Sequence, residues 1–264
     1  MKKMYKILLI ISIALAGSGL VICIAGFFLG GSMENVVVWD NDPEKIWDGT
    51  LSSVWDAEEE EVRDVDSLCV DMARGSLIVE YGRYDNIRVE SGETRTKTKV
   101  WMEGNTLNIK GRGRWTNKGG AVKVYLPENI HLREADFEVG AGTMEVDRLQ
   151  AENITIEVGA GEFVSDEMLK ADVLDLSVGM GDIQIAEADS RETYLDCSMG
   201  NLDIAMKGNW EDYYLTGECS LGDLSVGEES WNLNSDISYG DETAERIIDA
   251  ECGLGALTIG VTDR

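Results

Sequence analysis

Residues 139–183 read VGAGTMEVDRLQAENITIEVGAGEFVSDEMLKADVLDLSVGMGDI. Two features of this stretch decide the fold. The first is a recurring four-residue unit, apolar, small, apolar, glycine. It occurs as Val139-Gly-Ala-Gly142, Val158-Gly-Ala-Gly161 and Val178-Gly-Met-Gly181, and again at 197–200, 219–222, 237–240 and 252–255. Its last glycines, Gly142, Gly161, Gly181, Gly200, Gly222, Gly240 and Gly255, are 19, 20, 19, 22, 18 and 15 residues apart. The second is a period of two between the units: Ile154, Ile156 and Val158 alternate with Thr155 and Glu157, and Leu174, Leu176 and Val178 with Asp175 and Ser177. Such alternation specifies strands with one buried face.

A unit of about 20 residues cannot bury that face alone, so the units must stack on a shared core. The expectation is an all-β chain built as a β-solenoid, with glycine at each corner because a tight corner favours positive φ. The first residue of each unit, Val139, Val158, Val178, Cys197, Cys219, Ile237 and Cys252, forms a core ladder. Cysteine in that slot serves as a small hydrophobe, the alternative being a disulfide from Cys197 to Cys219 on neighbouring coils. Glu162, Asp182, Asn201, Asp223 and Asp241 follow the corner glycines and are expected along one edge. Turn-forming residues explain that position without a metal, although oxygen ligands of this kind also suit Ca²⁺. The sixth unit, Ile237–Gly240, is the weakest, because Asp241-Glu242 breaks the polar–apolar pair that follows the other glycines.

Residues 67–134 show shorter alternations, at Leu77/Val79, Ile87/Val89, Leu107/Ile109 and Val122/Val124/Leu126, closed by Pro127. They read as irregular coils or a cap before the regular repeats of 135–264. Residues 83–123 hold ten basic and four acidic side chains. Arg112, Arg114, Trp115 and Lys118 cluster in one loop there, which makes them candidates for binding a polyanion such as a teichoic acid, an acidic glycan or lipid headgroups. The alternative is pairing with the chain's own acids.

Residues 7–29 are uncharged over 23 positions, and Lys2, Lys3 and Lys6 precede them. That length fits a membrane-spanning helix better than the shorter apolar core of a cleaved signal, and Ile22 is a poor neighbour for a lipidated Cys23. The positive flank places residues 1–6 in the cytoplasm and the rest outside, as a single-pass protein of the cell membrane. Residues 30–66, with Trp39, Trp47, Trp55 and the acids Glu58–Glu61, read as a juxtamembrane acidic stalk, and 67–264 as the β-domain. The chain carries 23 basic and 50 acidic residues, net −27. That balance excludes general nucleic-acid binding. A single histidine, His131, argues against a histidine-based metal cluster or a Ser/His/Asp triad. No cofactor is expected.

The string from Val122 to Glu162, with its strand ending in Pro127 and two VGAG corners, resembles the bacterial "putative adhesin" family, as do Gly75–Val79 and Gly104–Ile109. The resemblance implies a membrane-anchored domain of the cell envelope, and it carries no catalytic residues. The expected function is an extracytoplasmic interaction module that binds wall polymer, surface glycan or an envelope protein. The alternatives are a sensing subunit acting through a membrane partner, and a polysaccharide-active enzyme. The last is disfavoured because acids such as Asp175, Asp182, Asp203 and Asp223 recur without one pair standing out.

Overall fold

In the computed structural model the described residues are 47–49, 53–56, 65–91, 97–112 and 121–262. The expected tail, the apolar segment 7–29, most of the segment read as a stalk, and Arg114, Trp115 and Lys118 lie outside them. The described residues are all-β. In chain order the strands are β1 (Trp47–Gly49), β2 (Ser53–Asp56), β3 (Ser67–Arg74), β4 (Ser76–Gly82), β5 (Arg88–Ser91), β6 (Lys97–Glu103), β7 (Thr106–Arg112) and β8 (Val122–Pro127). Next come β9 (Leu132–Val139), β10 (Thr143–Val146), β11 (Leu149–Val158), β12 (Glu162–Lys170), β13 (Val173–Val178), β14 (Asp182–Asp189), β15 (Glu192–Cys197) and β16 (Asn201–Lys207). The last six are β17 (Tyr213–Cys219), β18 (Asp223–Val226), β19 (Glu229–Asn232), β20 (Ser235–Gly240), β21 (Arg246–Cys252) and β22 (Ala256–Thr262).

The chain alternates between two ladders. One runs β1-β6-β7-β3-β9-β11-β13-β15-β21-β17-β20. The other runs β2-β5-β8-β4-β10-β12-β14-β16-β22-β18-β19. We call these the A and B ladders. Pairing is parallel from β7 to β17 and from β8 to β18, and antiparallel beyond. The first two residues of β11 also pair with β12, so the ladders join into one nearly closed, barrel-like sheet. Each layer contributes one strand to each ladder, and the inward residues fill a single core. Residues 47–49 and 53–56, within the segment read as a stalk, pair as the outermost strands at one end.

The corner glycines are required for a reason other than the expected one. Among the described residues the glycines with positive φ are Gly75, Gly104, Gly208, Gly227 and Gly240, so none of the stacked corners from Gly142 onward is among them. What they lack is space. A Cβ on Gly181 would fall well under 3.0 Å from the carbonyl oxygen of Gly161, and one on Gly200 would meet the carbonyl of Gly181 in the same way. The ladder fixes adjacent strands ~4.8 Å apart, and at the corner that spacing leaves no volume for a side chain.

The layers do not stack in chain order. β21 and β22, the last strands, lie between β15/β16 and β17/β18. The core slot therefore runs Val139, Val158, Val178, Cys197, Cys252, Cys219. Cys252 separates Cys197 from Cys219, so the expected neighbours are two strands, ~9.6 Å, apart, beyond disulfide reach. The three thiols are free and buried, and each donates to a backbone carbonyl, as in Cys197 Sγ to Gly200 O at 3.2 Å. Burial pushes the Cys252 thiol up to about 12, with Cys197 and Cys219 adding to the effect.

The sixth unit is likewise not a stacked corner. β20 runs antiparallel to β17, which sets Ile237 opposite Gly217, out of the row of the core slot although still buried in the core. Gly240 ends that strand at φ +88. Asp241 caps a turn through Thr243 instead of joining the row after the glycines, where Ala256 stands between Asn201 and Asp223. The rearranged end is fastened by one polar cluster. Arg246 donates to Asp189 Oδ1 (2.9 Å), Tyr213 Oη (2.8 Å) and Lys207 O (3.1 Å), and Tyr213 Oη donates to Lys207 O (2.6 Å).

Two outcomes follow. Gly181→Ala forces a methyl onto backbone and is expected to cost about 3 kcal/mol in urea unfolding, at the upper end of overpacking costs. Gly260→Ala, whose Cβ has nothing within 4 Å, serves as the tolerant control. With a thiol-reactive dye, Cys197, Cys219 and Cys252 are expected to stay unmodified in the folded protein and to react together on denaturation.

Candidate functional site

A well-formed concavity among the described residues arises from unequal strand lengths. β10 stops at Val146 after four residues, while its neighbours β4 and β12 continue for seven and nine. The chain leaves the B ladder at Asp147 and re-enters beside β12 at Leu149. On the far side β12, β14 and β16 shorten from nine to eight to seven residues, each losing one at a bulge near Ser165 or Ile185. Bulges bend strands and re-aim side chains. The result is a cleft of about 570 Å³.

Its walls carry both signs of charge. Arg148 and Lys170 face Glu128, Asp166, Glu167 and Glu187, leaving the cleft net negative. Arg148 pairs with Glu128 at 3.4 Å, and Glu187 accepts a hydrogen bond from Thr262 Oγ1 at 3.3 Å. Gln150 and His131 are exposed at the rim. Ile130, Leu149 and Met168 supply apolar surface. Tyr81 closes the floor. Its hydroxyl is shielded from solvent beside the backbone of Gln150 without a full hydrogen bond, and burial pushes its pKa up. Of these residues only His131 stood out in the sequence, as the single histidine and not as part of a site. Their only local signal was the short stretch Asp147-Arg148-Leu149, where the spacing between apolar positions changes.

The residues picked from the sequence lie elsewhere. Arg112 is the last residue of β7, paired with Lys97 and Arg74 on either side. Other members of the basic segment meet the chain's own acids: Lys110 pairs with Asp71 at 2.7 Å, and Lys123 with Glu80 at 3.3 Å. Asp175 faces outward from the A ladder and Asp182, Asp203 and Asp223 from the B ladder, so they do not converge. Among the described residues no group of three or more His, Cys, Asp and Glu is placed to hold a metal ion.

The outer face of the A ladder is an acidic surface. In-register stacking sets Asp71, Glu138, Glu157, Ser177, Asp196, Glu251, Glu218 and Asp236 in one row. Glu138 is pushed up by partial burial and by Asp71 and Glu157, with Lys110 offsetting in part. Asp136 and Asp175 shift the same way, from partial burial and then from Glu134 and Asp196 respectively. A carboxyl raised in the folded chain holds its proton more tightly there than in the unfolded chain. Its contribution to stability is present at low pH and is lost as pH rises through its folded pKa. Asp241 acts oppositely, because hydrogen bonds from Thr243 N and Oγ1 hold it below the usual range. The melting temperature is therefore expected to rise as pH falls from neutral toward the ordinary carboxylate range, and to drop again at lower pH as Asp241, and Asp66 with its hydrogen bonds from Ser67, Arg133 and Asn105, protonate. At pH 7, added salt and Glu138→Gln should each raise it, read by differential scanning calorimetry.

No family model matches the chain, and no curated protein matches it. The chain is similar to solved bacterial structures that include "a putative cell adhesion protein" from Clostridium sporogenes, at 14% identity, covering 83% of this chain and 100% of that chain with a TM-score of 0.41. They also include "putative adhesin" structures from Parabacteroides distasonis, at 14% identity, 81% and 97% coverage and TM-score 0.40, and from Parabacteroides merdae, at 11% identity, 83% and 97% coverage and TM-score 0.40.

Proposed function

We propose that this chain is a membrane-anchored, extracytoplasmic β-solenoid of the bacterial cell envelope that binds a surface or wall glycan, acting as a binding module and not as an enzyme. The observation that carries the reading is the cleft lined from β4, the start of β11, β12 and β14. It is open, and its walls present donors, acceptors and small apolar patches together, as a polar ligand requires. The parallel in-register layers, eight deep between antiparallel ends, support the solenoid description.

The electrostatics select the ligand class. Four carboxylates against two cations disfavour a phosphate- or sulfate-bearing polymer in this cleft and favour a neutral or amine-bearing sugar chain. A polyanion, if bound, would fall to the basic segment with Arg112, Arg114, Trp115 and Lys118.

The test uses full-length protein in detergent or nanodiscs with three probes: a neutral N-acetylglucosamine oligomer, its amine-bearing de-acetylated form, and a teichoic acid. The amine-bearing chain is expected to bind tightest and to weaken with salt. Gln150→Ala with Glu167→Ala should lower its affinity at least tenfold, about 1.4 kcal/mol, with unchanged unfolding. Preference for teichoic acid, or binding indifferent to both substitutions, overturns the assignment to this cleft. New reducing ends released from the oligomers would instead make the chain an enzyme.

A further inference from the structure

In the units that form stacked corners the third residue is apolar, and the structure leaves it outside the core. Met180, Met199, Leu254 and Leu221 are 64%, 55%, 59% and 61% exposed. Their amides donate in sequence to the layer beneath, Met180 to Gly159 O, Met199 to Gly179 O, Leu254 to Ser198 O and Leu221 to Gly253 O, so the four form one column. Leu233, at the corner of the antiparallel end layer, adds a fifth large side chain at 65% exposure. Monomeric surfaces scatter single apolar residues, but a contiguous line of five is the mark of an interaction site.

Leu233 supplies an independent observation. It adopts φ +56, and Asn234 follows at φ +59. The end layer runs antiparallel, and its corner bends through the left-handed region that leucine rarely adopts. Glycine would take that conformation without strain. A strained, exposed leucine at the end of an exposed apolar column points to a role outside the fold.

The charges beside the column define its partner. Asp196, Glu251, Glu218 and Asp236 stand in register on the A side, one from each of four neighbouring strands, and all are exposed. None of the four belongs to an ion pair among the described residues. Asp182 and Asp223 flank the other side. Such flanks repel an anionic membrane and a second copy of the same edge. The spacing fits a helix, because layers lie ~4.8 Å apart and a helical turn rises about 5.4 Å, so one apolar side chain per turn meets one layer. Five layers span ~19 Å, or about 13 helical residues.

We infer that the column Met180–Met199–Leu254–Leu221–Leu233 is a docking edge for a cationic amphipathic helix of a partner protein, its apolar stripe on the column and its lysines or arginines on the flanking acids. This edge shares no residue with the glycan cleft, so either reading can fail alone.

The experiment titrates full-length protein into a labelled 14-residue peptide with leucine on one face and lysine beside it. One control peptide has the same composition scrambled, and a second has glutamate in place of lysine. The patterned peptide is expected to bind with induced helicity, and the controls at least tenfold more weakly. Met199→Ser with Leu254→Ser should weaken binding at least tenfold. Asp196→Asn with Glu251→Gln should weaken it severalfold and flatten its salt dependence. Leu233→Gly should weaken binding about threefold while the thermal midpoint holds or rises. Equal binding of the scrambled peptide, or indifference to Met199→Ser with Leu254→Ser, overturns the proposal. So does a thermal midpoint lowered by Leu233→Gly, which would make that leucine structural. Self-association lost in Met199→Ser/Leu254→Ser by analytical ultracentrifugation would assign the edge to a second copy, and capture by anionic vesicles would assign it to a membrane; either result overturns the helix reading.

Discussion

The contact on which the rest depends is that between each corner glycine and the carbonyl of the glycine one layer below. Hydrogen bonding brings the backbones as close at the corner as along the strands, and only a residue without Cβ fits. Once the corners are pinned, the residue three places before each corner glycine falls into the core, as Val158 and Val178 do, and the residue immediately before it points away. One packing constraint thus builds both the buried ladder and the exposed column of methionines and leucines.

A stack of parallel layers has two open ends, and exposed ladder edges invite pairing with other chains. This chain deals with both ends alike. At each it passes over a layer, reverses into antiparallel strands and returns to fill the gap, β7/β8 between β3/β4 and β6/β5 at one end and β21/β22 between β15/β16 and β17/β18 at the other. β21 and β22, which follow β17–β20 in the chain, become interior, held by neighbours on both sides. Arg246, with its bonds to Asp189, Tyr213 and Lys207, fastens the returning segment to strands on both sides of the crossing.

In-register stacking also sets like beside like. Repeats of similar sequence place carboxylates in rows ~4.8 Å apart, and partial burial followed by repulsion from neighbouring acids raises the pKa values of Glu138 and Asp175 there. Within the A face this opposes folding near neutral pH. The same rows give the molecule a long surface of one sign beside an apolar edge, and that combination selects partners by complementary charge more than by shape.

The sequence by itself determined the strands, the corners and the inward face. Alternation with a period of two and glycine at a spacing near 20 are local patterns, and burial of Ile154, Leu174 or Cys197 follows from them. It did not determine the order of layers, because parallel in-register pairing is equally satisfied by any neighbour carrying the same unit. Cys219 and Cys252 offer the same side chain to Cys197, and only the crossing at 208–212 and the Arg246 cluster choose between them. The weak sixth unit was legible as irregular, but its reversal was not. The cleft was hidden for a related reason: its residues come from separate layers and meet only because β10 is short and β12 and β14 bulge. The third apolar position of each unit was visible in the sequence, yet its exposure depended on whether the corner turned it inward or outward, and the stacked backbone decided that.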